Sequence, residues 1–391
     1  MRRFRIFVLL LVLTALPQAL AGSHLAAWLS ARQDPWLRAL GPLVPALFVL
    51  INAPLAIELL RRRRMRAVPR FLGDALQIPW TAAWLGSLLY LLLLGFWTAA
   101  ALGIRLVAPG APTSPPTWVA LLPFGLALYG AVFGSRLLRR ERVTIPVAGL
   151  PAGWEGARIV QLSDLHAGRH MTAERLRAIA RRAAALQPDL LVVTGDIVHN
   201  SAAFAKRAAE AIASVPTRLG TFACLGNHDF HAGADLVAAE LEKARVPVLR
   251  NQGRWLVRNG SGLWLCGVDD VWSERFDLQA ALRGKPEGAA VVLLSHQPNT
   301  WPLAQAAGVH LQLSGHTHGG QLALLWLHRS LSLARFITPF VAGLYRHGSS
   351  YLYVNRGAGL VMPLVRLGAR PEVTEITLVA AEVEDEALVH A

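Results

Sequence analysis

Charged side chains are scarce in this chain, 16% of 391 residues, and cysteine is nearly absent, with only Cys224 and Cys266. Two cysteines supply no disulfide framework, and a single bridge between them is neither required nor excluded. Each lies in an apolar run (TFACLG and LWLCGV), where cysteine behaves as a small buried hydrophobe, so neither is assigned a functional role. Apolar residues take the place of the missing charge. They make up 53% of the chain and concentrate before about residue 138, while the remainder reads as an ordinary globular α/β sequence. The formal charge of +14 is carried mostly by Arg. Many of these Arg residues flank apolar runs, and no basic patch with interleaved aromatics is evident. That pattern disfavours nucleic acid as a partner and favours anionic lipid headgroups.

The length suits two domains, an anchor over 1–141 and a globular domain over 142–391. Four apolar stretches precede the globular part: Ile6 to Ala21, Trp36 to Leu60, Ala75 to Ile104 and Trp118 to Leu138. A membrane-spanning helix needs about 20 apolar residues, and the last three stretches reach that length. The first follows Arg2, Arg3 and Arg5 and ends in Ala19-Leu20-Ala21, so it reads either as a cleaved signal or as a permanent helix. Arg61 to Arg64 and Arg66 follow the second stretch; Arg139, Arg140 and Arg142 follow the fourth. The intervening loops carry only Arg32 and Arg105, and Pro109–Pro116 is a loop on the far side. The positive-inside rule then places everything after residue 139 in the cytoplasm, on a multi-pass protein of the cell membrane.

From Arg142 onward, strand-length apolar runs alternate with helical stretches at Thr172 to Leu186, Ala202 to Ile212 and Ala234 to Ala244, which implies an α/β architecture. The runs end alike. RIVQL leads into Ser163-Asp164-Leu165-His166, LLVV into Thr194-Gly195-Asp196, and TFACL into Gly226-Asn227-His228-Asp229; VVLL leads into Ser295-His296 and HLQL into Ser314-Gly315-His316-Thr317-His318. Ligands bind at the carboxyl edge of open α/β sheets. A lone His or Gly-Asp at such a place is usually a surface residue or a turn; five at equivalent places point to one metal centre. If extended, Asp164 and His166 project to the same side, as do His316 and His318. Gly195, Gly226 and Gly315 permit sharp turns beside them. The donors are oxygen and imidazole nitrogen without thiolate, which suits Mn, Fe or Zn. They are too many for one ion and a natural number for two. Two carboxylates neutralise half the charge of two divalent ions, leaving a positive remainder for a hydroxide and a phosphate oxygen. Such a pair about 3.5–4 Å apart makes hydroxide at neutral pH and supports in-line phosphoryl displacement.

Asp-x-His, Gly-Asp, Gly-Asn-His-Asp, a later His and Gly-His-x-His, in this order over about residues 155–380, resemble the calcineurin-like metallophosphoesterases. Gly319-Gly320-Gln321, Gly343-Leu344-Tyr345, Tyr353-Val354-Asn355-Arg356-Gly357 and Arg370-Pro371-Glu372 resemble the membrane-associated bacterial branch, where some relatives hydrolyse UDP-2,3-diacylglucosamine. The resemblance implies a four-layer α/β/β/α sandwich. It also implies that Asp164, His166 and His318 hold one metal, that Asn227, His296 and His316 hold the other, and that Asp196 bridges them. His228 would contact the phosphate and assist the leaving oxygen, with Asp229 orienting its ring. Three residues after the bridging Asp, where relatives often carry an acid or amide, stands His199, as either a support for a ligand or an exposed loop residue. Arg169 is a candidate phosphate contact. His170 and His231 lie near the ligand loops, with an incidental role the plainer reading.

These features lead to the expectation of a two-metal hydrolase. Its substrate would be a phosphodiester or pyrophosphate on a lipid or lipid-linked nucleotide at the bilayer surface, without nucleic acid. The apolar segment Leu322 to Tyr345 is read either as a flap dipping into the interface or as core. The competing expectations are a tethered enzyme for soluble esters and a non-catalytic module that binds a phosphorylated ligand.

Overall fold

A computed structural model describes residues 2–61, 70–110, 114–324, 327–328 and 330–381. The expected Arg cluster at 62–66 lies outside them, as do part of the loop 109–116 and residues 325, 326 and 329 of the apolar segment. The chain divides into two compact units, one of residues 1–134 together with 362–367, the other of 135–361 with 368–391.

The first unit is helical: α1 (Arg2–Ser30), α2 (Pro35–Leu40), α3 (Leu43–Arg61), α4 (Arg70–Val107) and α5 (Thr117–Tyr129), the last continued by a π-turn over Gly130–Gly134. Two of these, over Gln77–Val107 and Thr117–Gly134, are long and apolar enough among the described residues to cross a membrane. The second apolar stretch is not one helix as expected. Asp34 caps α2 by accepting the Trp36 N–H, and Gly41-Pro42 ends it, because Pro breaks the backbone ladder. Helix α1 runs unbroken through the signal-like Ala-Leu-Ala. Ala21 on it is fully buried in a cluster with Tyr90, Val119 and Ala120. Gln18 and Asn52 exchange side-chain amide hydrogen bonds of 3.0 and 2.9 Å, and Trp80 donates to Asn52 Oδ1 (3.1 Å), tying α1, α3 and α4 in apolar surroundings. Segment 362–367 docks where Gly130 and Gly134 have no side chain. A Cβ at Gly134 would overlap the Arg366 carbonyl, and the Arg366 N–H donates to the Gly130 carbonyl (3.1 Å).

The second unit is built on two sheets. In the first, the order is β1 (Arg139–Val147), β11 (Glu372–Ala380), β2 (Arg158–Leu162), β3 (Leu190–Thr194) and β4 (Thr221–Cys224), with β2, β3 and β4 parallel. In the second, it is β5 (Gln252–Arg258), β6 (Ser261–Gly267), β7 (Val291–Leu294), β8 (Leu311–Ser314), β10 (Ser350–Val354) and β9 (Gly343–His347), with β6, β7, β8 and β10 parallel. Residues two apart share a strand face. Ile159, Leu190, Val192, Phe222 and Cys224 of the first sheet accordingly form one buried cluster with Leu263, Leu265, Val292, Leu294, Leu311 and Leu313 of the second. Helix α6 (Ala173–Ala184) packs outside β11, while α9 (Leu278–Leu282) packs outside β5 and β6 and α10 (Trp301–Ala306) contributes Ala304 to the outer cluster. This is the expected four-layer α/β/β/α sandwich.

Local differences from expectation have clear causes. β1 spans the boundary placed at 141/142, and its Arg residues serve the sheet: Arg140 and Arg142 pair with Glu375 of β11 at 2.6 and 3.2 Å. The third expected helix starts earlier, as α8 (Asn227–Lys243), after α7 (Ala205–Ala213). Asp229 in its first turn accepts the Gly226 N–H (2.9 Å), and Gly233 at φ 109° bends it. Both cysteines are buried and free.

The sheets are also tied by polar groups. Arg356, after β10, pairs with the fully buried Glu372 of β11 and with Glu141 of β1 (3.0 Å), while Tyr353 donates to Glu372 (3.1 Å) and Asn355 to Thr374 (2.9 Å). The Tyr-Val-Asn-Arg-Gly and Arg-Pro-Glu motifs therefore meet in one structural lock. Arg356→Met leaves the Glu372 charge buried without its cation, and is expected to lower stability by about 3–5 kcal/mol. Denaturant melts of the purified variant measure it; an unchanged midpoint would refute the lock.

Candidate metal centre

The five predicted strand ends converge. Strands β2 and β3 deliver Asp164, His166 and Asp196, β4 runs into Asn227 at the first turn of α8, β7 delivers His296, and β8 delivers His316 and His318. The expected ligands form two compact groups, Asp164 with His166 and His318, and Asp196 with His296 and His316, and a third group joins His166 to His199 and His228. In the first, His166 Nε2 lies 3.0 Å from His318 Nε2, and His318 Nε2 lies 3.4 Å from Asp164 Oδ1. In the second, His296 Nε2 lies 3.2 Å from His316 Nδ1. Asp196 Oδ2 stands between them, 3.5 Å from His166 Nε2 and 3.3 Å from His296 Nε2. Its other oxygen accepts the His228 backbone N–H (2.9 Å).

The backbone that achieves this is not extended, as the sequence spacing suggested. Asp164, His166, Asp196, His316 and His318 all have positive φ, between 47° and 71°. Asp and His tolerate the left-handed region better than most residues, and such strain gathers at functional sites. Of the three glycines expected to turn the chain, only Gly195 has positive φ, at 86°. Gly226 and Gly315 serve by lacking a side chain: a Cβ would overlap Asp196 Oδ1 at the first and Asp164 Oδ2 at the second.

Electrostatics make the groups a cation trap. Burial, with the charge of His296 near by, holds His166 and His316 down to about 3, so both rings stay neutral and present lone pairs. Burial also pushes His296 down, but Asp196, Asp164 and Asp270 outweigh it and raise it to about 10. Asp164 is raised to about 6 by burial and the nearby Asp196. Burial would raise Asp196 too, yet His296, His166 and His228 hold it well below the carboxylate range. Converging nitrogen lone pairs 3.0 Å apart repel unless a proton or cation lies between them. Asn227 Oδ1 is buried with no hydrogen-bond donor, a further acceptor for an ion. His296 is held for ligation by its Nδ1–H donating to the Thr194 carbonyl (2.8 Å). The seven residues fit two divalent cations.

His228 is half-buried beside this centre, its ring 4.8 Å from that of His166. Its Nδ1–H donates to the His199 carbonyl (2.7 Å), which sets the tautomer of the neutral ring. Asp229 does not orient that ring, contrary to expectation. Its fully buried carboxylate accepts the backbone N–H groups of Ile197, Val198 and Gly226, so it fixes the Asp196 loop to the start of α8. Burial, followed by the charge of Asp196, raises it to about 7. His199 is half-buried, with Nδ1 3.4 Å from His166 Nδ1 and its ring stacked on His228 at 5.0 Å. It therefore supports a ligand and is not a plain loop residue. Arg169 is exposed and forms no hydrogen bond or ion pair with the ligands among the described residues. Among the described residues the His231 ring meets that of His228, at 6.2 Å, and the His170 carbonyl accepts from Arg175. Sequence reading missed Asp270, buried and bonded to Gln297 (3.0 Å), and Trp272, whose ring edge meets His316 at 5.0 Å. The signal was present: β6 ends in Gly-Val-Asp-Asp, a sixth polar strand end.

Two predictions follow from this geometry. At pH 7.5 the metal-free protein carries a proton on His296, while His166 and His316 are neutral and Asp164 is ionised, so metal loading should release about one proton. Below pH 6 Asp164 also holds a proton, and affinity should fall more steeply. Calorimetry in buffers of different ionisation enthalpy tests this, and buffer-independent heats would refute it. Asp196→Asn should cut activity by more than about 100-fold, beyond the effect of merely supporting a ligand, and deplete both metals; a variant retaining two metals per chain would refute a shared oxygen.

Residues 157–320 match the calcineurin-like phosphoesterase family. An uncharacterised metallophosphoesterase of Bacillus subtilis, YkuE, is 31% identical over 259 residues, covering 64% of this chain and 88% of the relative. One from Aquifex aeolicus is 33% identical over 248 residues, covering 62% of this chain and 92% of the relative. A Danio rerio transmembrane protein with a metallophosphoesterase domain is 33% identical over 268 residues, 65% of this chain, though the match spans only 60% of the fish protein. With the ligand groups assembled as described, the chain belongs to the calcineurin-like phosphoesterase family.

Proposed function

We propose that this protein is a metal-dependent hydrolase of phosphodiesters or pyrophosphates whose substrate carries a lipid. Two divalent cations at the centre, of Mn, Fe or Zn type, would acidify water and neutralise phosphate charge. The protein's own residues supply the rest. In its doubly protonated form His228 would pass the Nε2 proton to the leaving oxygen, becoming neutral with its remaining N–H on the His199 carbonyl. Asp229 keeps the Asp196 loop and α8 in register, and His199 steadies His166.

One observation carries the lipid part. A cavity of about 180 Å³ is shared by His316 and His318 with Leu333, Ile337 and Val361. Around it the segment after His318 exposes its apolar side chains, with Phe336 at 90% and Ile337 at 67%. Among the described residues of the segment, Ala334, Val341 and Ala342 form a small buried cluster and Phe340, Leu344 and Tyr345 pack against neighbouring core, while Leu333, Phe336 and Ile337 stay exposed and are not held by that packing. Apolar surface beside a phosphate-handling centre suits an acyl chain, and UDP-2,3-diacylglucosamine is one molecule with the right parts. A membrane setting supports the reading. The Danio rerio and Bos taurus relatives are named as transmembrane proteins, and the apolar window of α4 is only 17% buried. A cytoplasmic orientation rests on the Arg residues that flank the apolar stretches.

The full-length protein in detergent, loaded with Mn, is to be assayed on bis(4-nitrophenyl) phosphate, a cyclic nucleotide and UDP-2,3-diacylglucosamine. The lipid nucleotide should be turned over. Phe336→Ser with Ile337→Ser should lower kcat/KM for it by about tenfold or more, from lost apolar contact, and leave the soluble ester unaffected. Turnover of water-soluble esters alone would overturn the lipid assignment. Metal-loaded protein with no turnover would favour a phospholigand-binding module.

A further inference from the structure

A separate cavity, of about 290 Å³, is lined by none of the metal ligands. It lies behind the Asp164 turn: Ala358 in its wall donates its N–H to the Ser163 carbonyl (2.9 Å). Arg136, Arg175 and Arg182 line it together with the apolar Leu138, Met171 and Ile179. Arg175, Ile179 and Arg182 are four and seven residues apart on α6, hence on one face of the helix. No Asp or Glu lines the cavity among the described residues.

Arg175 and Arg182 are positioned without being neutralised. Arg175 donates to the carbonyls of His170 (2.9 Å) and Ser135 (3.4 Å), and Arg182 to the carbonyl of Leu138 (2.7 Å). Carbonyl oxygens orient a guanidinium but leave its charge uncompensated. Glu174, the acid of α6, pairs instead with Arg177 at 3.1 Å. Burial and the positive charge of Arg136 hold Arg175 below its ordinary range, so the cations repel across the cavity. An anion would relieve that repulsion, and guanidinium forks match phosphate oxygens in pairs.

We propose that this cavity binds the phosphate of an anionic phospholipid headgroup, at a site distinct from the hydrolytic centre. Free phosphate offers the same charge, but it leaves the apolar floor unused, whereas a glycerol backbone and first methylenes cover it. Chain continuity agrees: Ser135 in the cavity wall is one peptide bond beyond the apolar helix that ends at Gly134. The site needs no hydrolysis of the lipid it holds, so it stands or falls independently of the substrate.

The full-length protein in maltoside detergent is to be titrated by calorimetry with dihexanoyl phosphatidylglycerol, dihexanoyl phosphatidylcholine and inorganic phosphate. Phosphatidylglycerol should bind more tightly than either of the others. Arg136→Glu with Arg182→Glu should weaken it at least about tenfold while turnover of a soluble phosphodiester is retained. Both residues are exposed, and Arg182→Glu alone serves if the double variant does not fold. Equal affinity for phosphatidylcholine, or undiminished phosphatidylglycerol binding in a folded variant, would overturn the site. Phosphate binding as tight as phosphatidylglycerol would overturn the lipid assignment.

Discussion

One carboxylate oxygen, Asp196 Oδ2, is within 3.5 Å of histidines from both sheets, His166 after β2 and His296 after β7. Everything around it serves to hold opposed charges and lone pairs at that spacing out of water. The strand-end turns interlock to do so. Asp164 N–H donates to the Gly195 carbonyl, His166 N–H to the Asp196 carbonyl and Ala167 N–H to the Ile197 carbonyl, at 2.8–3.0 Å. These bonds help offset the left-handed backbone at five of the seven ligands, of order 1–3 kcal/mol each. The absence of side chains at Gly226 and Gly315 lets the turns close on one another.

How much of this could be read from the residues depended on which physical rule was in control. The ligands were legible because a hydrophobic strand that ends abruptly in Asp, His or Asn has few structural excuses, and here five did so. The α/β character was legible because parallel strands buried on both faces must be covered by helices, whereas the four layers followed from the family resemblance. The backbone at the ligands was not. Spacing of two implies a shared side only for extended chain, and positive φ at Asp or His leaves no compositional trace. The role of Asp229 was hidden for a similar reason. Its neighbour in sequence is His228, but its partners are three backbone N–H groups gathered from two loops. In the helical unit, hydropathy marked apolar character correctly but overlooked the punctuation at Gly41-Pro42.

The motifs outside the ligand set separate in the same way. Tyr353, Asn355, Arg356 and Glu372 join the two sheets, a structural duty. The basic residues divide as well. Arg140 and Arg142 are neutralised by Glu375 within the sheet, while Arg175 and Arg182 are steadied by backbone carbonyls, which leave their charge in place. Counting Arg along the chain does not reveal that difference; only the partner of each side chain does.

The hexapeptide Met362–Leu367 belongs with the helices although the strands on either side of it, β10 and β11, belong to the sandwich. The polypeptide thus passes between the two units three times. The helical unit cannot be replaced by splicing at residue 134 alone, because Gly130 and Gly134 are shaped to receive the Arg366 backbone. Helices and hexapeptide are obliged to change together: a change in the π-turn asks for a matching change more than 200 residues downstream.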